Sequence, residues 1–179
     1  MGSLDGRTVL MVIASQQFRD EEYAVPRQLL EAAGASVTVA SSSLAPATGM
    51  LEMRVIPDLL LKDADPGQFD AVVFVGGMGA TEYWDDPAAH RVASQMCRQG
   101  KLTSAICLAP MILANAGLLK AKRATIWPSE ADLFQTKGVI YTGNPVEHDG
   151  VVITGRGPDA AQPFGEALVD ALAAAPPRA

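Results

Sequence analysis

The chain is poor in the residues that build metal sites and disulfide frameworks. Its 179 residues include two cysteines and two histidines. Cys97 and Cys107 belong to a predicted helix and to the end of the following strand, which argues against a disulfide. His90 and His148 have no second histidine or cysteine beside them. The sequence therefore predicts no metal site, and we expect both histidines on the solvated surface.

Basic clusters and long apolar runs are also absent. Fourteen Lys and Arg residues stand against twenty Asp and Glu residues, a net charge of −6. No stretch is therefore suited to follow a phosphate backbone. No apolar run approaches the roughly 20 residues that span a bilayer, and the first residues have no signal-peptide pattern. We expect a cytoplasmic protein that binds neither nucleic acid nor membranes.

Apolar residues are abundant, at 49% of the chain. At this length they suffice for one well-buried core and not for two, so we predict a single domain over residues 1–179. We expect frayed ends at 1–6 and 175–179. Apolar runs at 8–14 and 69–75 are typical of parallel strands covered on both faces, and helical patterns alternate with them. The pattern predicts an α/β fold around a mostly parallel, doubly wound sheet.

Further patterns complete this prediction. Apolar spacing and turn residues predict helices over 20–33, 87–99, 109–116, 129–134 and 161–174. Additional strands are predicted over 37–40, 102–106, 124–126 and 138–141, with a hairpin over 146–154 whose turn is Asp149-Gly150. The stretch 51–56 alternates in polarity, and we expect it to leave the main sheet.

Cys107 falls at the junction between a strand and a helix. A side chain on such a sharp turn projects above the sheet, and the turn closes only where the residues two before and two after are small. Here they are Ala105 and Ala109. The start of the following helix also favours a thiolate over a thiol. The sequence therefore predicts a reactive nucleophile at Cys107 rather than a packing residue.

Two other segments open on the same edge of the sheet. Gly76 and Gly77 end a predicted strand, and glycines there let backbone N–H groups face an anion. Glu22 lies in the first turn of the helix after the first strand. Partial burial would raise its pKa, and a protonated carboxyl can donate a hydrogen bond to a thiolate. We interpret the two acids that precede it as partners of the helix dipole.

Four segments together resemble the ThiJ/PfpI superfamily, and its DJ-1 branch above all. These segments are 18–22, 75–77, 105–110 and 149–158, and the resemblance extends over nearly the whole chain. It implies a flavodoxin-like, three-layer α/β/α sandwich with a nucleophile elbow, as in class I glutamine amidotransferases. It also implies a homodimer, with Cys107 as the reactive cysteine and Glu22 as a protonated glutamate against it.

The chain departs from this family in two places. Protease-like members have a histidine directly after the cysteine, where this chain has Leu108, and the DJ-1 branch has one before a proline, where this chain has Trp127. Without an imidazole, peptide hydrolysis lacks its general acid. Addition of a thiolate to an aldehyde is less demanding, because the N–H groups of Gly77 and Leu108 can hold the oxyanion. We expect Gly76, Trp127 and Arg156 to line the same pocket.

Because members of this superfamily are described as glyoxalases or deglycases, the resemblance together with these residues implies a cysteine-dependent, cofactor-free enzyme of that kind. Its substrates would be small 2-oxoaldehydes such as methylglyoxal, or their protein adducts, and Cys107 and Glu22 would be catalytic. Two alternatives stay open: a non-enzymatic oxidative-stress sensor or chaperone with an oxidisable cysteine, and an inert cysteine closed off by Trp127. Leu108 disfavours an intracellular protease. The expected partners are a small carbonyl compound or an oxidant, and a second copy of the chain.

Overall fold

The computed structural model describes residues 2–178 of the chain. Its strands are β1 (Thr8–Val12), β2 (Gln16–Phe18), β3 (Ser36–Ser41), β4 (Ala47–Gly49), β5 (Arg54–Val55), β6 (Leu59–Leu60), β7 (Ala71–Phe74), β8 (Leu102–Ile106), β9 (Arg123–Ala124), β10 (Ile140–Tyr141), β11 (Val146–Asp149) and β12 (Val152–Gly155). Its α-helices are α1 (Asp20–Ala32), α2 (Pro87–Arg98), α3 (Pro110–Asn115), α4 (Ala131–Gln135) and α5 (Ala161–Ala174).

A seven-stranded sheet in the order β11-β12-β8-β7-β1-β3-β6 forms the centre of the fold. Neighbouring strands are parallel throughout, except for the antiparallel pair β11 and β12. From β1 the chain crosses through α1 to one side of the sheet, and from β7 it crosses through α2 to the other. Because such crossovers are right-handed, these helices cover opposite faces. Helix α1 packs with α5, and α2 with α3. The predicted α/β/α fold is confirmed.

The apolar runs that predicted the central strands lie in the core, as expected. Every residue of β7 and β8 is buried. The runs are longer than the strands, because Ile13 and Ala14 stay fully buried beyond the end of β1. An unbroken apolar run therefore indicates which residues are buried, but not where the strand ends.

The later elements follow the predictions with one exception. Helix α5 and the hairpin are where they were expected, although the two-residue turn is Gly150-Val151, because Asp149 pairs with Val152. The predicted strand over 124–126 was wrong in extent and placement: only Arg123–Ala124 is a strand, and it pairs with β10 in a separate sheet. The chain leaves that sheet to bring the Trp127 N–H within 2.9 Å of the Cys107 carbonyl oxygen.

Residues near both ends of the described chain make contacts with the rest of the fold, and the fraying of 1–6 and 175–179 stays a prediction. Leu4 is fully buried, and its N–H donates to the Ala33 carbonyl. At the other end, Arg178 pairs with Asp70 at 3.2 Å. Met1 and Ala179 lie outside the described residues. Over residues 2–178, the helices are all too short or too polar to span a membrane.

Candidate active site

Cys107 occupies a strained position between β8 and α3. Its φ is +65°, in the left-handed region that costs a residue other than glycine about 1 kcal/mol. Neighbouring backbone holds the turn on both sides. The Cys107 N–H donates to the Gly155 carbonyl at 2.9 Å, and the Cys107 carbonyl accepts from Trp127 at 2.9 Å. The flanking Ala105 and Ala109 are fully buried, which leaves no room for larger side chains. The turn has the geometry of a nucleophile elbow.

Glu22 lies in the first turn of α1 and is fully buried. Neither of its carboxyl oxygens is hydrogen-bonded to another residue of the described chain. An ionised carboxylate here would be a buried charge without a partner, which is costly. Burial accordingly raises the Glu22 pKa to about 8, although contact with the Cys107 thiol and the charge of Arg19 oppose the rise. Glu22 is therefore predominantly protonated at neutral pH.

Gly76 allows the thiol and the carboxyl to meet. A Cβ atom at this position would lie 2.5 Å from Glu22 Oε1 and 2.6 Å from Cys107 Cβ. It would also lie 2.5 Å from the Ile106 carbonyl oxygen. Real Cβ atoms do not approach other atoms so closely, so only glycine fits between these groups. The residue was expected to line the pocket, and it lies beneath the site instead.

The pKa of Cys107 moves in the opposite direction to the one predicted. The residue is only 7% exposed. Burial raises its pKa, and the charge of an ionised Glu22 raises it further. The N–H groups of Gly77 and Leu108 contact the sulfur and lower the pKa. The start of the short helix α3 does not outweigh burial. When Glu22 is protonated, its negative charge no longer raises the Cys107 pKa, and its carboxyl can donate a hydrogen bond to the sulfur. The ionisation of Cys107 therefore depends on the protonation state of Glu22.

Gly77 has a backbone conformation that favours glycine. Its φ is +104°, and a Cβ there would lie 2.4 Å from Arg19 N and 2.5 Å from the Gln17 carbonyl oxygen. The Arg19 N–H in turn donates to the Gly76 carbonyl at 2.9 Å. The loop after β7 is thus locked to the loop before α1. The N–H groups of Gly77 and Leu108, the predicted donors, both act on the Cys107 thiol.

A cleft of about 120 Å³ opens above the thiol. Its walls combine one basic residue with mainly apolar ones: Arg19, Met50, Gly77, Met78, Cys107, Leu108, Trp127 and Pro158. Trp127 is at the cleft as predicted, and its side chain is 42% exposed. The predicted wall residue Arg156 is not part of the lining. Its guanidinium turns away and donates to the Gly143 carbonyl at 3.0 Å, and Pro158 contributes to the wall instead.

The acids before Glu22 have partners that sequence reasoning missed, and those of Asp20 are tertiary. The Asp20 carboxylate accepts from the N–H groups of Leu51 at 3.1 Å and Met53 at 3.0 Å, and so holds the loop that carries the cleft residue Met50. Glu21 pairs with Arg19 at 2.6 Å, and this hydrogen bond lowers the Glu21 pKa. Residues 50–53 are distant in sequence, so no local pattern indicated these contacts.

The histidines lie away from the thiol. His148 is exposed, as expected. His90 is half-buried rather than solvated, with its Nε2 2.8 Å from the Trp84 carbonyl oxygen. The Trp84 indole donates to the Leu108 carbonyl at 2.8 Å, so this tryptophan supports the residue beside the nucleophile. Within residues 2–178, no group of three potential metal ligands comes together.

The match to known proteins extends over the whole fold. Residues 7–171 match the DJ-1/PfpI family. An uncharacterized protein of Methanocaldococcus jannaschii is 38% identical over 92% of this chain and 82% of that protein. A deglycase of Pyrococcus abyssi is 32% identical over 83% of this chain and 90% of that protein. The crystal structure of a ThiJ/PfpI domain protein from Brachyspira murdochii, 30% identical, superposes with a TM-score of 0.93 and covers 96% of this chain and 99% of that one. The chain belongs to the DJ-1/PfpI family.

Proposed function

We propose that this protein is a cysteine-dependent glyoxalase or deglycase that acts on small 2-oxoaldehydes such as methylglyoxal, or on their protein adducts. The observation that carries the proposal is the arrangement at the base of the cleft. A protonated Glu22 and the N–H groups of Gly77 and Leu108 surround the Cys107 sulfur. The name of the Pyrococcus abyssi relative, a deglycase, supports the same class of chemistry.

The first step forms a bond between sulfur and carbon. The Cys107 thiol releases its proton to solvent as its sulfur attacks the aldehyde carbon, and the carbonyl π electrons move to oxygen. The N–H groups that contact the sulfur also lie beside the new oxyanion, where preformed donors stabilise developing charge. Glu22 gives its proton to this oxygen. The product is a neutral hemithioacetal, and Glu22 is left as a buried carboxylate.

The buried carboxylate then acts as the base of the second step. Glu22 removes the proton from the former aldehyde carbon and returns it to the neighbouring ketone carbon, while the hydroxyl proton passes from the former aldehyde oxygen to the ketone oxygen. The aldehyde carbon is oxidised to a thioester while the ketone carbon is reduced to an alcohol, so no outside oxidant takes part. Water then cleaves the thioester, releasing a 2-hydroxy acid and restoring the thiol. A pKa of about 8 lets Glu22 serve in both protonation states near neutral pH.

The size of the cleft limits the substrate. Pockets for drug-sized ligands start at about 300 Å³, whereas this cleft measures about 120 Å³. A molecule of a few heavy atoms, or the exposed end of an adduct, fits it. Neither histidine lines the cleft, which argues against peptide hydrolysis, since that reaction needs an acid for the leaving amine.

Kinetics on matched variants test the proposal. We expect methylglyoxal turnover by the unaltered protein, loss of turnover in Cys107→Ser, and a large fall in kcat in Glu22→Gln, which keeps the shape and loses the acid. Arg156→Gln serves as the control, since this side chain points away from the cleft. Turnover that persists in Cys107→Ser would refute a thiol mechanism.

An oxidation sensor is the second candidate. The N–H groups that contact the sulfur would also stabilise a sulfinate, and Glu22 could donate to it. Intact mass after mild peroxide distinguishes the two functions: a gain of two oxygens at Cys107 without methylglyoxal turnover would favour the sensor. The homodimer remains a prediction from the resemblance, and the cytoplasmic location remains a prediction from the sequence pattern.

A further inference from the structure

A second cavity lies at the opposite edge of the sheet from Cys107. It measures about 350 Å³ and is formed where β1, β7 and β8 begin, under the segment 175–178. Three basic residues take part in its lining: Arg7, Lys101 and Arg178. Each comes from a different part of the chain, so only the fold brings these charges together.

A single carboxylate balances these three charges within the lining. Asp70 has a side chain that is only 4% exposed, and it accepts a hydrogen bond from the Thr8 N–H at 2.8 Å. Arg178 Nε lies 3.2 Å from this carboxylate, and an Arg7 nitrogen lies 3.8 Å from it. The charged side chains of the lining therefore sum to +2, although the net charge of the whole chain is −6.

The other hydrogen bonds of these side chains go to backbone carbonyl oxygens, although the charge of Asp65, outside the lining, also acts on Lys101. Arg7 donates to the carbonyl oxygens of Ala175 and Pro176. Lys101 Nζ donates to the Pro66 carbonyl oxygen at 2.9 Å. Carbonyl oxygens orient a cation without cancelling its charge, and a lysine with one acceptor keeps two donors free. Burial and the positive charge of Arg178 disfavour the charged form of Lys101 and lower its pKa.

We propose that this cavity binds a small phosphorylated molecule through its phosphate group. A phosphate oxyanion would supply the missing negative charge and accept from guanidinium and ammonium donors together. Inorganic phosphate shares that chemistry, but the cavity of about 350 Å³ has room for a further moiety. The site lies at the other end of the strands from the thiol, so it does not depend on the proposed reaction.

Calorimetric titration of the full chain with three probes tests the site. The probes are inorganic phosphate, glucose 6-phosphate and, as the uncharged reference, glucose, all at constant ionic strength. We expect both phosphates to bind and glucose not to bind. Lys101→Met should weaken phosphate binding about tenfold, through the loss of one partly buried charge. Lys137→Met removes the same charge from an exposed position outside the cavity and should leave the affinity unchanged.

Asp70→Asn should change the phosphate affinity in the opposite direction to Lys101→Met. Asparagine can still accept from the Thr8 N–H, but it removes the competing negative charge, so phosphate should bind several-fold more tightly. A merely structural role of these residues would weaken binding in both variants. Thermal unfolding without ligand confirms that each variant is folded. Glucose binding equal to that of glucose 6-phosphate, no phosphate binding at millimolar concentrations, or equal affinities in Lys101→Met and the unaltered protein would each overturn the proposal.

Discussion

The buried carboxyl of Glu22 should make the stability of this protein depend on pH in a defined window. Its pKa is about 8 in the folded protein against an ordinary value of 4.5. Between these values the folded state binds a proton that the unfolded state has lost. The contribution of Glu22 is therefore fully present below pH 4.5 and is lost as the pH rises through about 8. Each pKa unit corresponds to about 1.36 kcal/mol, so the total is on the order of 5 kcal/mol.

The measurement compares glutamate with glutamine at this position, in a background where the thiol cannot ionise. We expect the free energy of unfolding of Cys107→Ser to fall relative to that of Cys107→Ser/Glu22→Gln, by about 1.4 kcal/mol per pH unit between about pH 5 and pH 8. Above that range the difference should level off. All other ionisable groups are common to both proteins and cancel in the comparison. Urea unfolding at successive pH values gives the two curves.

A difference that stays constant across this range would refute the reasoning. It would mean that Glu22 ionises at its ordinary pKa, and that the folded protein accommodates the charge despite the burial of both oxygens. The role of Glu22 as an acid at neutral pH would then fail, and with it the proton transfers proposed above. A slope that continues above pH 8 would instead show that the pKa in the folded protein lies above 8.

Three further substitutions test the architecture of the site. Gly76→Ala should cost about 1–3 kcal/mol in urea unfolding and sharply slow alkylation of Cys107 by iodoacetamide, because the added methyl group has no space; alkylation at the unaltered rate would contradict this packing. Asp20→Ala should release the loop that contains Leu51 and Met53. We expect faster hydrogen exchange at the backbone N–H groups of these two residues and unchanged exchange in the rest of the chain. Trp84→Phe removes an indole hydrogen bond of 2.8 Å and should cost about 1 kcal/mol; no loss of stability would show that this bond contributes nothing net.

The candidate site was partly predictable because some of its features are local. The elbow at Cys107 depends on small residues two positions before and after it, which can be read directly. The N–H donors of Gly77 and Leu108 belong to segments that end neighbouring parallel strands, and such ends meet at one edge of the sheet. The role of Glu22 came from the family resemblance together with the expectation of burial.

The errors have a common physical cause. The prediction of a favoured thiolate used the start of α3 and could not include the degree of burial, which raises the Cys107 pKa. Arg156 was assigned to the pocket from its place in a motif, but the direction of its side chain is set by the Gly143 carbonyl. Met50 and Met78 line the cleft because of the paths of their loops, which no short-range sequence pattern specifies.

The sequence by itself determined the α/β fold, the order of the main elements and the strand–helix turn that carries Cys107, the candidate nucleophile. These depend on apolar periodicity and on turn residues, which act over a few neighbouring positions. Only the tertiary structure decided how deeply Glu22 and Cys107 are buried and which charges face one another across the chain. Desolvation and Coulomb interactions depend on distances in space, and residues such as Arg7 and Arg178 come close only when the chain is folded.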